Sequence, residues 1–214
     1  VSPFYSNLSQ VATPQLFANP DGSSYVPAPL YASLETYGVE IELDFDITKR
    51  LNISSAITLQ SPKSKNFAIY IANAPGPADD TISRVPDGDS DNNPKLMATT
   101  TASWNPVDAI DTFVTWKYLG ARAANRFNTF YLPAFSQFDL GVTVKLTKAL
   151  SITGNINNVL YSKGVLGWAP AGGLAASLDR QAFTPAQLAA DPNQLFNIIT
   201  VQPRSFFLTA RVKL

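Results

Sequence analysis

The chain has no cysteine and no histidine among its 214 residues. Without cysteine there is no disulfide framework and no thiolate metal site. Without histidine the commonest general base and the commonest metal ligand are missing. Ser-His-Asp, Cys-His and histidine–zinc chemistry are excluded within this chain. Charge is also scarce, at 15% of residues, against about 25% in a usual soluble domain. The 16 basic and 16 acidic residues cancel, so no net field draws the chain to nucleic acid or anionic lipid. It contains no phosphate loop and no basic aromatic strip, and nucleic acid is not an expected partner. No run approaches the ~20 apolar residues of a membrane helix. The opening VSPFYSNLSQ lacks the basic start and apolar run of a signal peptide. Hydropathy alone suggests a soluble protein, but it is nearly blind to strands whose faces alternate.

Alternation is what the chain does have. In GVEIELDFDI, residues 38–47, Val39, Ile41, Leu43, Phe45 and Ile47 alternate with Glu40, Glu42, Asp44 and Asp46. A strand has period two, so the apolar set takes one face and the acids the other. The pattern recurs with Leu51, Ile53, Ile57 and Leu59, with Leu96, Ala98, Ala102 and Trp104, and with Ile110, Val114, Trp116 and Tyr118. It returns with Phe138 to Leu146, with Leu150, Ile152 and Ile156, and with Phe206 to Leu214. A weaker strand near Pro3 to Gln10 brings the expected number to about eight.

The connections sort by length. Three are tight, at Thr48-Lys49-Arg50, Asn105 to Asp108 and Thr147-Lys148-Ala149, and they alternate with long ones at about 11–30, 62–94, 121–133 and 162–202. In a meander this puts every short turn at one end and every long loop at the other, as in outer-membrane barrels. Trp104 lies beside a tight turn, and Trp116, Tyr118 and Phe138 lie near the long loops. All four share apolar parity, the pattern of two interfacial aromatic girdles. Aromatic residues are also simply good strand formers.

The acid row needs water. Its neighbours stand ~6.7 Å apart, and in water each pair repels by only about 0.6 kcal/mol. Against lipid each charge costs up to a few kcal/mol. Lys117, Lys145, Arg211 and Lys213 fall on the polar faces of other strands and can compensate. A wall with an aqueous lumen on one side and lipid on the other satisfies both faces, with Glu40, Glu42, Asp44, Asp46, Lys117 and Lys145 facing the lumen. A solvent-facing strand of a soluble sandwich alternates in the same way.

The run YGVEIELDFDITKRLNISSAITL resembles the "GvElE" strand and hairpin of TonB-dependent outer-membrane receptors. WKYLGARAANRFNTFYLPAFSQFDLGVTVKLTKALSITGNINNVLYSKG resembles an ordered string of the same family. Here the string is Tyr118, Gly120, Arg122, Asn128, Leu132, Pro133, Asp139, Asn155, Asn157, Asn158 and Tyr161. Arg204 to Leu214 is placed as the family's closing strand, and the resemblance spans about residues 31–214. Such receptors are 22-stranded barrels with a plug. About eight strands and no plug-like region imply the C-terminal third of a barrel. The family usually ends in an aromatic residue, whereas this chain ends in Leu214, so the natural C-terminus is expected to lie elsewhere or the assembly signal to be weak.

The expected fold is therefore all-β: an antiparallel up-and-down transmembrane β-barrel segment, about eight strands of a larger barrel, with long extracellular loops. Residues 1–214 form one such segment without the plug domain. The resemblance implies active transport of a scarce ligand across the outer membrane, of siderophore, cobalamin or oligosaccharide type, energised by the TonB complex. It implies no cofactor and no covalent step. The TonB complex would act through regions outside this chain, and outer-membrane lipid would cover the barrel. Two alternatives stay open: a soluble carbohydrate-binding β-sandwich, and an independent small outer-membrane barrel.

Several loop residues are candidates. Asp87, Asp89, Asp91 and Asn93 sit at positions 1, 3, 5 and 7 of a calcium-loop pattern. Position 6 is Asn92 rather than Gly and position 12 is Ala98 rather than Glu, so an acidic turn fits equally. Arg126, Phe127, Asn128 and Tyr131, with Asn125, can meet a ligand or hold their loop. Trp168, among small residues in GVLGWAPAGG, can stack on a sugar or aromatic ligand or pin the loop. Thr184 and Pro185 start an expected short helix that Pro192 stops, a lid or a spacer. Glu40 and Glu42 belong to an unbroken acidic row, which marks a solvated face rather than a catalytic pair.

Overall fold

The computed structural model of the protein describes residues 1–13, 17–18, 21–71, 81–170, 185–190, 192–193 and 195–213. Eight strands form one antiparallel sheet in chain order: β1 (Ser2–Thr13), β2 (Leu30–Thr48), β3 (Leu51–Lys65), β4 (Leu96–Val107), β5 (Ile110–Leu119), β6 (Phe135–Lys145), β7 (Leu150–Asn157) and β8 (Ser205–Val212). Each pairs with the next, an up-and-down meander. A two-residue strand, Gly88–Asp89, adds to the loop end of β3. β1 and β8 do not pair, so the sheet is open at both edges. A complete small barrel requires that pairing, and the chain lacks it.

Register carries the alternation from strand to strand. One row runs Phe45, Ile53, Ala102, Val114, Leu140, Ile156 and Phe206, apolar at every position from β2 to β8. On the opposite face the row Asp44, Ser54, Thr101, Thr115 and Asp139 is polar at every position. Thr101 and Thr115 share a hydroxyl hydrogen bond of 2.9 Å, and Thr143 and Thr153 one of 2.8 Å. A one-residue slip would exchange the two faces.

No second layer of described residues covers the apolar face. Phe45 and Ile47 are each 57% exposed and Leu208 80%. A sandwich needs a second sheet over these side chains; among the described residues there is none. Buried apolar clusters lie instead at the loop end, in the long loops and, through Ala32, at the start of β2. Polar atoms on the apolar face pair with one another. The hydroxyls of Ser55 and Thr100 are 2.9 Å apart, and Trp116 Nε1 donates to Ser136 Oγ at 3.0 Å. Trp116 also packs 6.0 Å from Tyr118 and faces Phe138 across the strand pair.

The tight turns are Lys49-Arg50, Asp108-Ala109 and the bend at Thr147-Lys148-Ala149. The second is shorter than the expected Asn105 to Asp108. β4 continues through Pro106 to Val107, where its register shifts against β5, and a bulge tolerates proline's missing N–H. Arg50 joins the first two turns. Its carbonyl accepts the Asn105 N–H at 2.9 Å, and its guanidinium donates to the Pro106 carbonyl and lies 3.3 Å from Asp108. β3 likewise runs past the expected boundary through Pro62 to Lys65. The Pro62 carbonyl accepts from Ser90 N–H at 3.0 Å, on the side away from β2, so the β2–β3 ladder loses nothing to the proline.

Four aromatic residues break the simple polarity rule: Phe4, which pairs with Gly38, Phe135 at the loop end of β6, Phe113 and Phe207. Phe113 and Phe207 lie on the polar face, in the row Asp46, Asn52, Ser103, Phe113, Gly141, Asn155 and Phe207. The Phe113 ring covers Gly141: a Cβ there would stand 2.2 Å from Cε1 of the ring and 2.7 Å from Asn155 Oδ1. A Cβ on Gly154 would meet nothing within 4 Å. Gly141→Ala is therefore expected to cost about 1–3 kcal/mol through overpacking, and Gly154→Ala to cost little. The denaturation midpoint of the intact protein, read by heat-modifiable gel mobility, checks the contrast.

Candidate functional site

The long loops after β3, β5 and β7 assemble at one end of the sheet, and Asp89 is the junction of the first two. Its short strand pairs with the end of β3, so its side chain enters the loop layer beside Lys63. The carboxylate accepts from Lys63 Nζ at 2.7 Å and pairs with Lys95 Nζ at 2.8 Å, with the Tyr131 hydroxyl at 3.4 Å. Burial alone would raise this carboxyl, but the hydrogen bonds and charges of Lys63 and Lys95 outweigh it and hold it below the usual carboxylate range. Lys95 is held above the usual range, chiefly by its hydrogen bond to Asp89.

Asn128 closes the junction. It has φ 52°, a left-handed backbone that asparagine tolerates better than most residues. Its side chain pairs with the Asp89 peptide as another strand would. Oδ1 accepts the Asp89 N–H at 2.7 Å, and Nδ2 donates to the Asp89 carbonyl at 2.9 Å and to the Asn125 carbonyl at 3.1 Å. Gly88 permits the approach, because a Cβ there would fall 2.6 Å from Asn128 Oδ1. Nearby, Asn92 N–H donates to the Ala123 carbonyl at 2.9 Å. Arg126 lies 3.4 Å from Asp91 and stacks 4.8 Å above the Phe67 ring. Phe127 meets Phe67 edge-on at 6.1 Å and packs on the cluster of Ala32, Phe67, Ile69 and Val85.

The same loop, residues 120–134, also grips the loop after β7. Trp168 lies on the ribbon of Val165–Pro170 and Phe196–Thr200. It is 1% exposed, donates from Nε1 to the Ala124 carbonyl at 2.7 Å, and meets Phe130 and Phe196 at 4.7 and 5.2 Å. Arg122, 3% exposed, donates from Nη2 to the Val165 and Leu166 carbonyls at 2.7 and 2.9 Å. The short helix Pro185–Ala190 contributes Leu188 to this cluster; Thr184, its expected cap, lies outside the described residues.

The candidate residues sort accordingly. Asn128 and Tyr131 meet Asp89, Arg126 and Phe127 instead engage Asp91 and Phe67, and Trp168 sits on the other side of the same loop. Tyr131 is 51% exposed. The calcium pattern does not become a cluster. Asp87 accepts from Asn66 N–H, Asp89 from two lysines, Asp91 faces Arg126, and Asn93 accepts from Gln60. Among the described residues no group of three or more acidic side chains is placed to hold a metal ion. Glu40, Glu42, Asp44 and Asp46 share the polar face, where Asn52 Nδ2 bridges Asp44 and Asp46 at 2.6 and 3.0 Å. On that face Lys117 pairs with Asp139 and Lys145 with Asp111, each at 2.8 Å. Lys63 and Lys95 are structural hubs that sequence patterning does not single out, whereas Arg122, also a hub, stands in the family string without a role.

Asn128→Ala is expected to cost about 1–3 kcal/mol locally, by leaving the Asp89 peptide unpaired. Hydrogen exchange in residues 85–95 and 120–134 should rise while β4 and β5 keep their protection. Because the Asp89 carboxyl is held low, its stabilisation is complete above the ordinary carboxylate range, near pH ~3.9, and is lost as pH falls through the folded value. Protection of residues 88–95, corrected for intrinsic exchange, should fall on acidification in the native protein and lose that pH dependence in Asp89→Asn.

The family described as "TonB dependent receptor-like, beta-barrel" matches residues 1–159. No curated protein matches the chain. Solved structures with the same fold include the siderophore receptor PiuA from Acinetobacter baumannii, at 14% identity and TM-score 0.60 over 95% of this chain and 24% of that one. The ferric-catecholate import receptor Fiu from E. coli K12 is similar at 15% identity and TM-score 0.59, covering 98% of this chain and 24% of its own. The copper transporter OprC is similar at 10% identity and TM-score 0.64, covering 98% and 28%. At these identities the likeness shows the fold alone, and the chain spans about a quarter of each solved protein's length. The sheet that stays open here is thus a piece of a larger barrel wall, and with the family match over residues 1–159 the chain belongs to the TonB-dependent receptors, within their β-barrel.

Proposed function

We propose that this chain is part of the wall and outer loops of an outer-membrane transporter that takes up a scarce ligand with energy from the TonB complex. The observation that carries the reading is the seven-residue apolar row from Phe45 to Phe206, with a polar row behind it and no covering layer among the described residues. Lipid suits the first face and a water-filled lumen the second. Glu40, Glu42, Asp44, Asp46, Lys117 and Lys145 then line the lumen.

The loop layer is the ligand-capture end in this reading. Tyr131, half-exposed beside the Asp89 junction, offers a ring and a hydroxyl to the ligand. Arg126, Phe127, Asn128 and Trp168 set the shape of the surface that presents it. Siderophore, cobalamin and oligosaccharide ligands all suit an aromatic, hydrogen-bonding mouth of this kind. The chemistry is binding and passage, with no covalent step.

Cysteine substitution tests the two faces, since the chain has no native cysteine. In intact outer membranes a small polar maleimide is expected to label Asp44→Cys and Thr101→Cys through the lumen and to spare Phe45→Cys and Val114→Cys. Equal labelling of both sets would refute the wall assignment. Ligand uptake by the full receptor should also stop when the TonB complex is removed.

A further inference from the structure

The apolar face has a notch at Gly154. This glycine stands in the row Val142, Gly154 and Leu208, and a Cβ there would meet nothing within 4 Å. The absent side chain leaves a hollow of about 410 Å³, whose lining includes Leu140, Val142, Ile156, Phe206 and Leu208. It runs from the Gly154 row to the next apolar row toward the loops, Leu140, Ile156 and Phe206.

The loop end of the notch meets a cation. Arg204 stands two residues before Phe206, one strand period toward the loops, and is exposed. Its guanidinium lies 5.9 Å from the centre of the exposed Tyr161 ring. The segments that carry this pair are tied together, since Asn158 Nδ2 donates to the Ser162 and Gln202 carbonyls at 2.9 and 3.0 Å. Among the described residues Arg204 makes no ion pair. A cation without a carboxylate partner thus stands beyond an unfilled apolar slot. Four residues, ~13 Å of strand, separate Arg204 from the Gly154 row. That is within the ~15 Å half-thickness of a hydrocarbon core.

We propose that this notch docks an anionic, phosphate-bearing lipid of the leaflet at the loop end. One acyl chain lies in the Gly154 slot, and the phosphate meets Arg204. Shape and charge both favour lipid over protein. Val142 and Leu208 flank Gly154 from the two neighbouring strands, ~10 Å apart between backbones, and their side chains narrow the gap further. A helix ~10–12 Å across cannot enter it, whereas a single methylene chain can. An added strand would bring unpaired backbone groups into hydrocarbon. A phosphate with no cation in its own head group gains most from the guanidinium. The proposal rests on the reading of the apolar face as lipid-facing, which labelling of the other strands reports separately.

Photolabelling tests it. The intact purified receptor is placed in phosphatidylcholine vesicles that carry a probe lipid with a diazirine in its acyl chain, either phosphatidic acid or phosphatidylcholine. Labelled residues are then mapped by peptide mass spectrometry. The phosphatidic acid probe is expected to label Leu140, Ile156 and Leu208 severalfold more than the neutral probe does, while both label Ile53, Ala102 and Val114 alike. Gly154→Leu, which fills the slot, and Arg204→Gln, which removes the cation, should each cut that excess severalfold and leave β3 to β5 unchanged. The proposal is overturned if the two probes label β6 to β8 equally, or if the excess survives either substitution. It is equally overturned if β3 to β5 are labelled while β6 to β8 are shielded, which would place protein in the notch. Labelling of no apolar-face residue by either probe would refute the wall reading itself, and the proposal with it.

Discussion

Everything in this wall depends on hydrogen-bonded rows staying in register. A strand presents a different face at every residue, so polarity is a property of the row and not of the strand alone. The row through Phe45 and Phe206 stays apolar across seven strands because six consecutive pairings hold their alignment. In hydrocarbon the same pairings satisfy backbone groups that have no other partner. Devices that hold alignment therefore serve both the fold and the division between oil and water. The Arg50 clip across two turns is one, and the threonine pairs on the polar face are others.

Above the wall the organisation changes from rows to a knot. Residues 120–134 lie between two neighbouring long loops and grip both. Asn128 binds a peptide on one side, while Arg122 receives support from carbonyls on the other. Small apolar cores sit beneath these contacts, around Phe67 and around Trp168. Among the described residues the wall has no such core, and it is the loop layer that packs as a soluble protein does. A loop layer tied in this way can be broad and still hold its shape.

The wall could be read from the chain because each strand repeats one simple signal. Val39 to Ile47 and Phe138 to Leu146 alternate without error, and the register joins their apolar sets on one face. Phe113 and Phe207 could not be placed this way, since a phenylalanine on the polar face makes sense only once Gly141 is known to lie across from Phe113. The loop junction was less accessible still. Asn128 could be named as a candidate, but its role depends on a positive φ and on a peptide 39 residues away in sequence. Asp87, Asp89, Asp91 and Asn93 illustrate the limit from the other side. Their spacing matched a metal loop, yet long-range partners such as Lys63, Arg126 and Gln60 take up their oxygens separately.

The hydroxyls of Ser55 and Thr100 face each other on the apolar side, each the other's partner. Their worth is joint. Removing one leaves a lone hydroxyl against hydrocarbon, whereas exchanging both for apolar residues leaves none. Over evolutionary time such a pair should drift together or not at all, as linked positions in a wall whose other apolar residues are free to change one by one.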